Sequence, residues 1–599
     1  VIRCNRGDTL DLTFTTGDTG HSFFLEEFDM DVKVSPAREE VAVFSTSDPT
    51  KEPLLTREYA FTARHKGILN YLVSRSNYRC HVWCGPMHAF EQGKLVIMPN
   101  TLLMFSLGAM LGIFALWVFS VLSVGSLHSV PAGDDLLKTD LFNRFPMLKA
   151  LIVSRWPQAI LTIFAMVMIY LVILTSMFGT LMSGRNLGVL LMWAIWLFLL
   201  VAILTPLAGR SWCTICPLPM FGDLLQRRSF FIPQKGRTNG YNNRFSGLFM
   251  KWPAFLKNDW LRLGVFLVLA TFSTTLVANP RVSGLAVIGL LVVPTIMSLI
   301  WEHRAFCRYV CPVSVFVGTY ARVSPVALRS TDSEVCEKCK PHYCQNGSQK
   351  GWACPYGLNV GEMKENTDCG LCLECTRSCL YNNVSVYTRP IASERGARTM
   401  SEAWLTTGIF TLAIIYSVLY EGHWPIVRDF VNILDKNNWD LFGIYALLLN
   451  VSALVFVPGI IMFLAWTAVR TSGAAQNSRD VFRRYAGSLL PLGMALWIAF
   501  VIPMLFVNVT FITQSLSDPF GWGWDFFGKA NIPWHQFLPR LTPWLQAFII
   551  LAGTGLSLRN LNFSFSSEIS GKKTLFKALL PMSVFIIAVS VAMIFFFTN

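Results

Sequence analysis

Residues 336–379 carry the pattern Cys336-x2-Cys339-x4-Cys344-x9-Cys354-Pro355, followed by Cys369-x2-Cys372-x2-Cys375-x3-Cys379. Eight soft sulfur donors in two groups of four are the ligand count of two [4Fe–4S] clusters. In the compact second run the last Cys ordinarily crosses to the other cluster. The spacing therefore predicts one cluster on Cys369, Cys372, Cys375 and Cys354, and a second on Cys336, Cys339, Cys344 and Cys379. A structural zinc site is the weaker reading, because Cys-x2-Cys-x2-Cys-x3-Cys leaves no loop between pairs to close a tetrahedron. Disulfides do not persist in a reducing compartment, and the charge pattern around this stretch points to one.

Apolar segments flank the cysteine run on both sides. They cover 102–123, 159–178, 187–204, 263–277 and 285–300 before it, and 404–419, 441–469, 489–509, 541–556 and 579–597 after it. At 1.5 Å per residue, runs of this kind suit a hydrocarbon layer about 30 Å thick. With 53% hydrophobic residues and a mean hydropathy of +0.46 over 599 residues, the chain is expected to hold a polytopic α-helical membrane domain of about ten helices. Alternation puts 124–157, 210–260, 301–403, 470–488 and 557–578 on one side, with the pairs Arg227-Arg228, Arg483-Arg484 and Lys572-Lys573. The opposite loops hold isolated Arg185, Arg281 and Lys529. Basic residues gather on the cytoplasmic side, so the net charge of +14 sets orientation and no nucleic-acid module is expected. The expected location is a bacterial-type inner membrane, crossed many times, with the cysteine run inside.

Residues 1–99 differ in character. Alternation in Thr9-Leu10-Asp11-Leu12-Thr13-Phe14 and turns at Gly7-Asp8 and Gly17-Asp18 predict a small antiparallel β-sandwich. No signal peptide is visible and residue 1 falls in a strand pattern, so a preceding segment is expected. Near the end comes Cys80-His-Val-Trp-Cys84-Gly-Pro-Met-His88, and His21 stands upstream. Thiolates and imidazoles in this arrangement suit copper, whereas a Cys80–Cys84 disulfide would account for neither His. Of fifteen Cys, only Cys4 lies outside a close ligand spacing, as a small strand residue.

The stretch resembles the cupredoxin domain of cytochrome oxidase subunit II and nitrous oxide reductase, whose dinuclear CuA centre uses Cys-x3-Cys-x3-His-x2-Met and an upstream His. The resemblance implies His21, Cys80, Cys84 and His88 as ligands, with the Val82 carbonyl as a weak one. It departs at Glu91, which stands where the family has Met. A carboxylate is a harder donor than a thioether and lowers the copper potential if it coordinates; the other reading is a hydrogen bond that leaves the site one ligand short. Met87 and His81 are the nearby substitutes.

Two more motifs stand at helix ends on the basic side: Cys213-Thr-Ile-Cys216-Pro and Cys307-Arg-Tyr-Val-Cys311-Pro. With the eight Cys downstream, residues 151–387 resemble the NosR/NapH-type membrane polyferredoxins, in which such Cys-Pro motifs precede a cytoplasmic pair of [4Fe–4S] clusters. The first motif is one residue shorter than the family's usual Cys-x3-Cys-Pro, and a copper domain replaces the external flavin-binding domain of NosR-like proteins. Cys213, Cys216, Cys307 and Cys311 match a third cluster in number and compartment; redox-active thiols and structural thiols are the alternatives.

The expected organisation is a multidomain membrane protein. It has an external cupredoxin-like domain (1–99), helices one to five with the Cys213/Cys216 motif (100–302), a small cytoplasmic ferredoxin-like α+β insert (303–403) and helices six to ten (404–599). None of the nine His lies in a predicted hydrocarbon interior, so a bis-His haem in the bilayer has no ligands. His423 and His535 are candidate proton partners for a quinone on the outer side. The function these features imply is electron transfer between cytoplasmic clusters, or a quinone pool, and the external copper with its redox partner, a c-type cytochrome or a copper enzyme. Two alternatives are a maturation protein for a copper enzyme and an electron-transfer subunit of a larger respiratory complex with partner membrane subunits. No nucleotide loop or hydrolytic triad is present.

Overall fold

The computed structural model describes the chain apart from residues 6–8, 15, 17–19, 26–29, 36–42, 45–55, 63–74, 82–91, 125–136, 230–232, 234–245, 395, 423–429, 434–436, 474–475, 567 and 570. All ten apolar segments fall in helices, but not all as single spans. Eight helices among the described residues are long and apolar enough to cross a membrane: Thr101–Ser123, Arg155–Phe178, Leu187–Ala208, Pro280–Ile300, Met400–Glu421, Trp439–Ser472, Ser478–Phe506 and Lys572–Thr598. Segment 263–277 is instead two short helices, Trp260–Thr271 and Ser273–Ala278, meeting at Phe272 in a Thr/Ser-rich run. Segment 541–556 belongs to the 25-residue helix Thr542–Ser566, whose polarity is directed inward. There Gln546 is fully buried and donates to the Ala499 carbonyl at 2.9 Å and to Glu421 at 3.1 Å. Asn450 donates to Thr271 on the neighbouring helix at 3.2 Å, an interhelical hydrogen bond of the kind that holds apolar helices in register. Lipid-side positions such as Met104, Leu111, Ile160 and Phe164 are exposed, as expected where the surrounding solvent is hydrocarbon.

The N-terminal region forms two sheets. One has strand order β1-β8-β7-β3-β4 (Ile2–Asn5, Gln92–Met98, Arg75–Arg79, His21–Leu25, Met30–Val34), and the other β2-β6-β5 (Thr9–Phe14, Thr56–Thr62, Val43–Phe44). Pairing is antiparallel except for β1 with β8 and β5 with β6, which run parallel. The sheets meet through Phe14 against Phe23 (ring centroids 4.6 Å apart), beside a core of Cys4, Leu25, Val32, Val34, Leu95 and Ile97. Cys4 is thus a buried strand residue on β1.

A third sheet orders the cysteine-rich unit: Val326–Ser330 and Val384–Thr388 pair antiparallel, and Thr139–Asp140 adds an edge. A buried charge network fixes this unit to the bundle. Arg322 donates to Glu394 at 3.2 Å and to Glu402 at 3.2 Å, while Arg389 bonds Glu394. Glu402 is in the first turn of the helix Met400–Glu421. Near the other end of that helix, the Tyr420 carbonyl accepts from Gln92 of β8 at 2.6 Å. At 1.5 Å per residue these attachments are about 27 Å apart. Lys94 and Asn100 reach the Phe596 and Thr598 carbonyls at the C-terminal helix end, each at 2.8 Å.

Candidate metal centres

The thiols gather by backbone geometry. Cys336 lies on the short helix Ser333–Lys338, Cys339 caps it, and Cys344 lies on Tyr343–Asn346. Cys375 is in the turn Glu374–Ser378, which Cys379 caps. Leu371 and Leu373 take left-handed φ values of 52° and 59°, the local cost of winding the chain tightly between Cys369, Cys372 and Cys375.

Cys336, Cys339, Cys344 and Cys379 line one cavity with Asn359 and Asn383. The Asn383 amide N–H donates to the Cys379 sulfur and its side-chain amide to the Cys336 sulfur, both at 3.3 Å. Cys354 has Cys372 and Cys369 as neighbours, and Cys375 has Cys372, Cys369 and Cys354. Burial, reinforced by these neighbours, raises the Cys354 thiol to about 12 and the Cys369 thiol to about 11. Cys344 also stands beside Cys375, so the two groups of cysteines meet.

The four Cys of the Cys-Pro motifs also come together. Burial raises the Cys216 thiol, with Cys213 and Cys311 adding to the effect. Cys307 is raised by burial and then by Cys311, Cys216 and Cys213. Cys311 rises to about 11 through burial, with Cys213 adding. Four thiols gathered this closely, three of them buried, are a donor set that a metal cluster takes.

This third group abuts the second. Cys307, Cys311, Cys354 and Tyr356 share one apolar cluster, and the Thr214 hydroxyl donates to the Gly370 carbonyl at 2.7 Å. Two arginines frame it. Arg210, fully buried, donates to the Thr367 carbonyl at 2.8 Å. Arg304 donates to the Cys213 carbonyl at 3.1 Å and pairs with Asp223 at 2.5 Å. Burial works against both charges, yet the Cys213 thiol and Tyr356 beside Arg210, and Asp223 beside Arg304, outweigh it and hold each guanidinium protonated. Sequence reasoning missed both, although a signal was present: Arg210-Ser-Trp-Cys213 and Arg304-Ala-Phe-Cys307 share an Arg three residues before the first Cys.

The contact between the groups depends on Gly370. A Cβ there would lie 2.5 Å from the Tyr356 ring, which is itself buried and rigid. Gly370→Ala should therefore cost roughly 1–3 kcal/mol by overpacking. The expected readout is a lower thermal midpoint of the purified protein with earlier loss of iron on heating.

From Cys311, the N-cap of the helix Pro312–Tyr320, a series of packed rings runs toward the N-terminal sheets. Phe316 meets Trp497 at 5.5 Å, Trp497 meets Tyr416 at 5.4 Å, and Tyr416 meets Tyr420 at 5.7 Å between centroids.

Of the copper set, His21 and Cys80 are described, while Val82, Cys84, His88 and Glu91, with Met87, lie outside the described residues. The Ser22 amide donates to the Cys80 sulfur at 3.3 Å, so the strand bearing His21 meets the start of the Cys loop. His81 has Nδ1 3.2 Å from the Ser22 hydroxyl and Nε2 3.6 Å from Asp31, and both ring nitrogens are thereby engaged. For the quinone region, His423 lies outside the described residues and the His535 ring is exposed at the surface. The cavity beneath the N-terminal sheets is lined instead by Arg75, Arg79, Gln92, Trp193 and Glu421 among others.

Comparison with known proteins adds the following. A family described as a 4Fe-4S binding domain matches residues 189–235 and 283–330, the two stretches that hold the Cys-Pro motifs. An uncharacterized protein of Methanocaldococcus jannaschii is 25% identical over 191 residues, covering 31% of this chain and 75% of its own length. The Escherichia coli protein named "Putative electron transport protein YccM" is 28% identical over 152 residues, 24% of this chain and 39% of that one. A second M. jannaschii protein is 32% identical over 74 residues, 26% of its length. No solved structure matches the chain. The two iron–sulfur matches and the electron-transport relative support iron–sulfur clusters and a role in electron transfer.

Proposed function

We propose that this chain is a membrane electron-transfer protein that relays electrons between [4Fe–4S] clusters on the cytoplasmic face and a CuA-like copper centre outside. The observation that carries the proposal is the gathering of cysteines on the side of the N-terminal end of the helix Met400–Glu421, with Cys307, Cys311 and Cys354 in one apolar cluster and Cys344, Cys369, Cys375 and Cys379 in another, while the N-terminal sheets attach at the helix's other end. Cys336, Cys339, Cys344 and Cys379 would hold one cluster, Cys354, Cys369, Cys372 and Cys375 a second, and Cys213, Cys216, Cys307 and Cys311 a third. Such clusters, when bound, give and take single electrons. The chain's own contribution is burial, spacing and charge: Cys213, Cys307, Cys311, Cys354 and Cys375 are buried, and Arg210 and Arg304 beside them favour added negative charge.

His21, Cys80, Cys84 and His88 would hold the copper, and Glu91 would replace a softer donor. The ring series Phe316, Trp497, Tyr416 and Tyr420 supplies packed matter across the intervening hydrocarbon, where no His stands ready for haem. A soluble external partner such as a c-type cytochrome would exchange electrons with the copper. Metal analysis with electron paramagnetic resonance on the full chain tests the reading. The expected result is about twelve iron atoms per chain, bound copper with an unpaired electron shared by two nuclei, and copper reduction in intact membranes when electrons enter from the cytoplasmic side. An iron-free chain, or copper that stays oxidised with all partners present, would overturn it.

A further inference from the structure

Tyr356 follows Cys354-Pro355 and stands where two quartets meet. Its ring covers Gly370 on one side and faces the Arg210 guanidinium, 5.1 Å from the ring centre. Its hydroxyl lies among Cys213, Arg304, Arg210 and Cys307, is buried, and has no hydrogen-bond partner. Arg210 repeats the pattern. Its Nη1 donates to the Thr367 carbonyl at 2.8 Å and its Nη2 to the Cys307 carbonyl at 3.4 Å; the guanidinium also engages the Cys213 side chain, while the buried Nε–H meets no oxygen or nitrogen acceptor. A buried donor left unpaired is a standing cost to the fold. Two such donors, both beside Cys213 and Cys307, indicate that the acceptor they lack belongs to whatever these thiols hold.

Sulfur carrying negative charge is that acceptor. Donors aimed at cluster sulfurs stabilise the more negative, reduced form and so raise the reduction potential. We infer that the Tyr356 hydroxyl and the Arg210 Nε–H donate to the sulfurs of a cluster held by Cys213, Cys216, Cys307 and Cys311, and hold its potential above the value the thiolates alone would give. This rests on the third-cluster reading above. The redox step is a single-electron reduction of that cluster by a reductant such as dithionite; the two donors keep their protons throughout.

The test is a redox titration of the full-length protein, followed by electron paramagnetic resonance, for wild type and Tyr356→Phe. The variant keeps the ring and removes only the hydroxyl. The expected result is about twelve iron atoms in both proteins and one midpoint moved to lower potential, so that at the wild-type midpoint the reduced-to-oxidised ratio falls about tenfold. That is 59 mV for one electron, and the other two midpoints stay put. Three unmoved midpoints overturn the inference. Wild-type protein with only about eight iron atoms overturns the third-cluster reading itself. Pulsed resonance after exchange into D2O supplies a measurement independent of the variant's yield. A deuteron coupled to the third cluster in wild type is expected, and its absence overturns the inference.

Discussion

Cys213→Ala combined with Cys216→Ala should lower the iron content of the purified chain from about twelve to about eight atoms and leave the other two clusters' resonance signals in place. Two of four ligands are lost at one site, and the remaining pair, Cys307 and Cys311, cannot hold a cubane. The other quartets have their own ligands, and the Asn383 bonds to Cys336 and Cys379 do not involve the altered loop. Thr214, between the substituted positions, keeps its bond to the Gly370 carbonyl, so the seam between the groups is retained. Iron quantification and spin integration check the result. Iron unchanged in the double variant would assign the four thiols to a structural role.

The cysteine spacing is legible because ligation is a local constraint, and the left-handed Leu371 and Leu373 display the compact winding it imposes between Cys369, Cys372 and Cys375. The apolar segments were legible for the same reason, except where side-chain chemistry interrupts them. Phe272 separates two short helices, and Gln546 dilutes the helix Thr542–Ser566 because its amide is used inside the bundle. Tertiary partners were not legible. Arg210 reads as a lone basic residue after an apolar run, and only the folded chain shows it fully buried against Thr367 and Tyr356. The joining of His21's strand to Cys80 through Ser22 likewise needs the sheet, since the two segments are 58 residues apart.

Glu394→Ala should be the most destabilising single change in the unit that holds the clusters. The carboxylate accepts from Arg322 Nε at 3.2 Å and from the Asn366 amide at 3.0 Å, pairs with Arg389, and has Arg329 at 4.0 Å. The side chains of those three arginines are each 5% exposed or less. Removing the one carboxylate they share leaves buried cations with too few counter-charges, which costs about 3–5 kcal/mol. Glu402 still pairs with Arg322 at 3.2 Å, but it is also bound by Arg398, so it does not replace the lost charge at Arg389 or Arg329. The Glu394 backbone carbonyl is bonded by Asn560 of the helix Thr542–Ser566, so the segment is held at that point and cannot carry the arginines out to water without breaking the seam with the bundle. The expected outcome is a lower thermal midpoint in detergent, with iron released in the same transition. Glu394→Gln, which keeps an acceptor for Asn366 but not the charge, should fall between wild type and Ala. Equal midpoints for Gln and wild type would show that the hydrogen bonds, and not the charge, hold the cysteine unit to the membrane helices.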